Sequence, residues 1–169
     1  DPDDWYRATK ETIIAVLQKS SVSAEDILAL SLDAATHTAV LMDENFKVLH
    51  PAIYWTDTRS TEESAYLRAH YAELINEQAF HTPDTIWTLP QLMWAKKNLP
   101  EVWSKTRKIL FAKDYVRPRL TGDYVTDYIE AEGSMLFDFN KKCWSRELCD
   151  LLEIDTAMLP TIVSPTDIV

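Results

Sequence analysis

Glycine is nearly missing from this 169-residue sequence. Only Gly122 and Gly133 are present, where average usage of about 7% would give roughly twelve. Two isolated glycines cannot build a G-x-G-x-x-G dinucleotide turn, a Walker A loop or a G-x-S-x-G elbow, so the sequence holds no glycine-rich phosphate cradle. Basic residues are also in deficit: 17 Lys and Arg stand against 27 Asp and Glu, for a net charge of −10. The densest basic stretch, Lys105, Arg107 and Lys108, is too short to neutralise a phosphate backbone, so neither nucleic acid nor an anionic membrane surface is an expected partner. No apolar run approaches the roughly 18 residues of a membrane-spanning helix. Cysteine is limited to Cys143 and Cys149; on one helix their Cα atoms would lie about 9 Å apart, beyond disulfide reach of about 7 Å. Two free thiols suit a reducing compartment, and a cytoplasmic location is expected. His37, His50, His70 and His81 form no H-x-H or H-E-x-x-H pair and have no C-x-x-C partner, so no protein-built metal site is expected.

What remains is ordinary for a folded chain, 46% apolar and 26% charged, and long enough to bury one core. Trp5, Ile13, Val16 and Leu17 recur at helical spacing behind Asp1, Asp3 and Asp4, acids that suit a helix N-terminus. Ser23 is placed to cap a turn through Asp26. Ile27–Leu32 reads as a buried strand, Ala39–Met42 and Phe46–Leu49 as a hairpin about Asp43-Glu44-Asn45, and Ala52–Trp55 as a further strand entered through Pro51. These runs are expected to share one sheet, and a homodimer is among the expected partners. Ser60-Thr61-Glu62-Glu63 has the capping-box pattern, followed by one helical face of Leu67, Tyr71, Leu74, Ile75 and Gln78. Thr88 is the expected cap of a helix from Leu89 to Asn98, and Pro100 opens a short one through Trp103. Lys108–Phe111 reads as a strand. Asp114 is the expected cap of a helix ending at Gly122, with Pro118 awkwardly inside it. Tyr124–Thr126 is extended, Asp127–Glu132 one helical turn, Met135–Phe139 apolar, and Ser145 caps a helix through Leu152. Strands mixed with helices argue for a layered α/β or α+β domain. The acids Asp123, Asp127, Glu130 and Glu132 read as solvated surface charge rather than a paired acid–base site.

The motifs occur in a familiar order: Trp5 on an acidic helix, Thr36-His37, Trp55-Thr56-Asp57-Thr58-Arg59, Gln91-Leu92-Met93-Trp94, Lys113-Asp114-Tyr115, Leu120-Thr121-Gly122-Asp123-Tyr124, Thr126-Asp127-Tyr128, Trp144-Ser145 and Leu159-Pro160. This ordered set resembles the N-terminal domain of the FGGY carbohydrate kinases, and most closely the xylulokinase-like branch, over nearly the whole chain. The resemblance implies a partial ribonuclease-H-like (actin-like ATPase) α/β domain over residues 1–169, a mixed sheet with flanking helices. It also implies a kinase that moves the γ-phosphate of ATP, with Mg²⁺, to a hydroxyl of a ketose or polyol. The family's Asp-x-Gly-Thr phosphate loop, base Asp and nucleotide domain match nothing here. The expectation is thus a sugar-side fragment with no catalytic residue of its own, inactive and without ATP affinity when alone.

By the same resemblance, Thr36-His37 stands where relatives present Met-His or Arg-Glu to the sugar, within Ala34-Ala35-Thr36-His37-Thr38 rather than Gly-Gln-Met-His-Gly. A neutral imidazole can donate to or accept from a sugar hydroxyl; the plain alternative is a strand-end histidine bonded to backbone. Trp55 matches a family tryptophan that lies against the sugar's carbon face, or else packs as a core residue. Ile86 and Trp87 are placed to close one side of the sugar site, or equally to pack in the core. Asp57 and Arg59 read as a structural brace at the site. Gln91 replaces a family lysine. A catalytically inactive homologue that senses sugar or serves as a scaffold is the alternative function.

Overall fold

A computed structural model describes all residues, Asp1–Val169. Helix α1 (Pro2–Ser20) starts as its acids suggest, with the Asp1 carboxylate accepting the Asp3 amide, and Ser23 caps a 3-10 turn over Ala24–Asp26. From there the expected strand at Ile27–Leu32 is not formed. The segment makes no ladder and leaves Leu28 97% exposed. An apolar run becomes a strand only when another strand satisfies its amides, and none lies beside this one.

The first paired strand is β1 (Ala39–Met42), antiparallel to β2 (Lys108–Phe111) with Ala39 opposite Phe111 and Met42 opposite Lys108. Both of its faces are buried. Ala39, Leu41 and Ile109 point into the larger core with Leu67, Ile75, Leu89 and Leu92, whereas Val40, Met42 and Leu110 meet Tyr115 on the other side. This is the two-faced burial of a layered α/β fold. The rest of the expected single sheet shrinks to bridges, Ala39 to Ile53 and Met42 to Val48. The Asp43 turn does form: the Asp43 side chain accepts the amides of Asn45 and Lys47. Two further strand pairs complete the set. β3 (Val125–Asp127) runs parallel to β6 (Thr161–Val163), and β4 (Phe137–Asp138) antiparallel to β5 (Cys143–Trp144).

Helices α2 (Thr61–His70), α3 (Ala72–Ala79), α4 (Thr88–Asn98) and α5 (Pro100–Trp103) line the larger core. The capping box does not form: Ser60 precedes α2, but its hydroxyl is buried without a partner. Thr88 belongs to α4 itself rather than capping it, and its hydroxyl reaches elsewhere, as described below. Helix α6 (Ala112–Thr121) ends at Gly122 in the left-handed conformation, φ 88°, where glycine is favoured; Asp114 lies inside it. Helix α7 (Tyr128–Gly133) is capped by Asp127, which accepts the amides of Ile129 and Glu130, and α8 (Arg146–Asp150) by Ser145. Trp5 of α1 packs edge-to-face on Tyr115 of α6, ring centroids 6.3 Å apart, and the Tyr115 hydroxyl donates to Asp3. Cys143 and Cys149 are both free thiols, one exposed and one buried. No helix is long and apolar enough to cross a membrane.

Candidate sugar-binding site

His37 sits on the turn that leads into β1 and takes φ 44°, a left-handed conformation that costs a side-chain-bearing residue about 1–2 kcal/mol. Two buried groups hold it there. Its N–H donates to the Glu130 carboxylate of α7, and its carbonyl accepts the Thr88 hydroxyl of α4 at 2.7 Å. Ala34 and Thr38 stand where the resemblance places flanking glycines, and His37 itself carries the turn. Its imidazole lies 4.9 Å from the Trp87 ring, tilted by 59°, with Nε2 3.4 Å from the Thr36 hydroxyl. Burial and the nearby His81 hold the His37 pKa below the ordinary value, which keeps the ring neutral and able both to donate and to accept.

Thr36, His37 and Trp87 therefore come together, and they are joined by a residue that sequence reasoning missed. His81 stacks on Trp87 with centroids 3.9 Å apart, and its Nε2 lies 2.9 Å from a Glu132 carboxylate oxygen. The Trp87 indole N–H donates to the Thr82 carbonyl at 3.2 Å. Ile86, the next residue back, is 37% exposed. Trp55 is 45% exposed rather than a core residue, and its ring neighbours Tyr54 at 5.8 Å, tilted by 44°. The Trp55 ring does not join the His37–Trp87 group. Its segment is instead tied to that group by Gln91, whose amide donates to the carbonyls of Tyr54 at 3.2 Å and Thr85 at 2.9 Å. Asp57 and Arg59 make a close two-point pair at 2.6–3.0 Å, and the guanidinium lies 3.9 Å above Trp94, so the brace fixes the segment after Trp55 to α4.

Behind His37 lies a buried charge cluster. Lys113 contacts Asp114 at 3.1 Å, Asp127 at 2.9 Å and Glu130 at 3.7 Å, and Arg117 reaches Asp114 at 3.0 Å. Asp127 and Glu130, expected as solvated charge, are buried; only Asp123 of the four acids is fully exposed, and Glu132 is half-buried. Burial pushes the Glu130 carboxyl up to about 7 despite Lys113 and the His37 N–H. Burial acts on Asp127 too, but the Lys113 hydrogen bond and the capped amides outweigh it, and its pKa is lowered. A cleft of about 390 Å³, lined by Trp5, Ala34, Ala35, Tyr54, Lys113 and Val116 among others, opens on the Lys113 side. The alternation of acids through residues 123–132 gave no sign of this burial. The signal was Lys113, the single cation able to compensate several of them.

Neither glycine belongs to a phosphate cradle. Gly122 ends α6, and Gly133 is packed against the His37 ring, with Nδ1 2.7 Å from where a Cβ would stand. Both glycines are thus engaged elsewhere in the fold.

A family model described as the FGGY family of carbohydrate kinases, N-terminal domain, matches residues 1–169. A xylulose kinase of Bacillus subtilis (strain 168) is 33% identical over 169 residues, which is 100% of this chain and 34% of that protein. A xylulose kinase of Lactococcus lactis subsp. lactis is 31% identical over 166 residues, 98% of this chain and 33% of that protein. The solved ligand-bound xylulose kinase of Lactobacillus acidophilus superposes with a TM-score of 0.92 at 27% identity, over 99% of this chain and 34% of its own. The chain thus spans about a third of the length of the curated relatives it matches.

Proposed function

The chain belongs to the FGGY family of carbohydrate kinases, with the actin-like ATPase fold of those sugar kinases, and from that premise we propose that it forms the sugar side of an ATP-dependent kinase acting on a xylulose-like ketose. The observation that carries the reading is His37: an imidazole held by its backbone at both ends and set beside an indole. A sugar offers hydroxyls that donate and accept on one edge and C–H patches on its faces. His37 and Thr36 answer the first, and Trp87, Ile86 and Trp55 supply apolar walls for the second. Their part in the reaction is orientation, since phosphoryl transfer depends on positioning and on charge stabilisation at the phosphate. ATP and Mg²⁺ are taken by other parts of the complete protein, which works in the cytoplasm.

His37→Ala in the complete kinase is expected to lower sugar kcat/KM by roughly 5- to 150-fold, the equivalent of about 1–3 kcal/mol for an unmet polar contact, while the ATP KM moves by less than about threefold. Trp55→Ala changes the same sugar terms in the same direction. Steady-state kinetics over a ketose and polyol panel, with sugar and ATP varied separately, checks this. An ATP KM that rises while the sugar terms stay put overturns the assignment, and sugar binding without turnover marks an inactive sugar sensor instead.

A further inference from the structure

We propose that helix α7 is the seat of the His37 imidazole, with Glu130 and Gly133 acting as positioning residues that set where the ring meets the sugar. The inference rests on the reading of His37 as a sugar contact. Three independent holds converge on one residue. Glu130 accepts the His37 N–H with one carboxylate oxygen while the other faces Lys113 at 3.7 Å. Thr88 takes the carbonyl. Gly133, one helical turn beyond Glu130, lies directly under the ring: a Cβ there would stand 2.7 Å from Nδ1, 3.5 Å from Cγ and 3.7 Å from the His37 Cβ. The first of those separations is closer than non-bonded atoms approach, so any larger residue at 133 forces the ring to turn away.

The geometry behind the helix is equally specified. Asp127 caps α7 with one oxygen and holds Lys113 with the other at 2.9 Å. Lys113 thereby links the cap of α7 to the carboxylate that grips His37. Helix, cation and turn form one unit, and a displacement of α7 is a displacement of the imidazole. In a sequence with two glycines, one is spent on leaving this ring its room.

The test uses the complete kinase with sugar and ATP varied separately. Gly133→Ala is expected to lower sugar kcat/KM by about 10- to 100-fold, the scale of a misplaced contact group, and to leave the ATP KM within about threefold. Placed on a His37→Ala background, the same substitution should change sugar kinetics by less than about threefold, because the ring it displaces is gone. Glu130→Ala is expected to raise the sugar KM by roughly tenfold, and Glu130→Gln, which keeps an acceptor oxygen, should restore it. An equal loss from Gly133→Ala with and without His37 overturns the inference, as does a Gln variant as impaired as the Ala variant. The His37 ring resonances give a readout that does not depend on turnover: they should shift in Gly133→Ala. If His37→Ala leaves sugar kinetics untouched while those resonances shift, the sugar-contact reading fails and the positioning role stands. If they do not shift, the positioning role fails.

Discussion

Ile27–Leu30 and Ala39–Met42 are both four-residue apolar runs, and they meet opposite fates. Ala39–Met42 is hydrogen-bonded along β2, bridged to Ile53 and Val48, and buried on both faces. Ile27–Leu30 has no ladder, and its Ile27, Leu28 and Leu30 side chains are exposed. The difference is not in the runs but in what lies beside them. A strand is a property of a pair, because the backbone amides must be met by a neighbour before burial of side chains is worth having.

The sharpest way to break this comparison is to loosen the fastened side. Lys113 faces Asp114, Asp127 and Glu130, and Arg117 meets only the first, so Lys113→Ala leaves the buried Asp127 and Glu130 without a cation and is expected to destabilise by about 3–5 kcal/mol. Urea denaturation measures it, and a loss below about 1 kcal/mol would make the cluster a surface feature. A smaller effect follows from Glu130. Its folded-state pKa, up to about 7, stands above the ordinary 4.5. The fold therefore binds this proton more tightly than the unfolded chain does. The stabilisation is complete below about pH 4.5 and is lost as pH rises through about 7, a change on the order of 3 kcal/mol. The stability difference between wild type and Glu130→Gln, measured from pH 4 to pH 8, isolates it from the opposite trend of His37. The smallest effect belongs to the unfastened run. Leu28→Ala should change stability by less than about 0.5 kcal/mol, and amides 27–33 should exchange without the protection of 39–42. A large cost of Leu28→Ala in a longer form of the protein would instead mean that another part of it covers this run there.

The same contrast sorts what was legible in the sequence. Signals that act within one turn of chain were readable: the acids at the start of α1, the caps at Ser23 and Ser145, the Asp43 turn, and Gly122 at φ 88°. Signals whose partner lies far along the chain misled. Ser60 has the capping pattern, yet its hydroxyl meets nothing. Thr88, read as a cap, gives its hydroxyl to His37 across 51 positions. The candidate site divides likewise. Thr36 and His37 stood in the ordered set of motifs and Trp87 was placed beside them by the resemblance, whereas His81 carried no local mark and enters only because the fold stacks it on Trp87. Glu130 was hidden among acids of the same kind, and only burial separates it from Asp123.

Gln91 carries a consequence for the thermodynamics of recognition. Its one amide group spans two loops, the Tyr54 turn and the Thr85 turn, from a helix that is itself packed in the core. Loops that move separately must each be ordered when a ligand arrives, and that ordering subtracts from affinity. Loops tethered to a shared point lose much of that freedom at folding. The segments that carry Trp55 and Trp87 are thus held in place by one side chain through their backbone carbonyls. A neutral amide does this without adding a charge of its own, so on the proposed reading a sugar would meet loops that folding has already ordered.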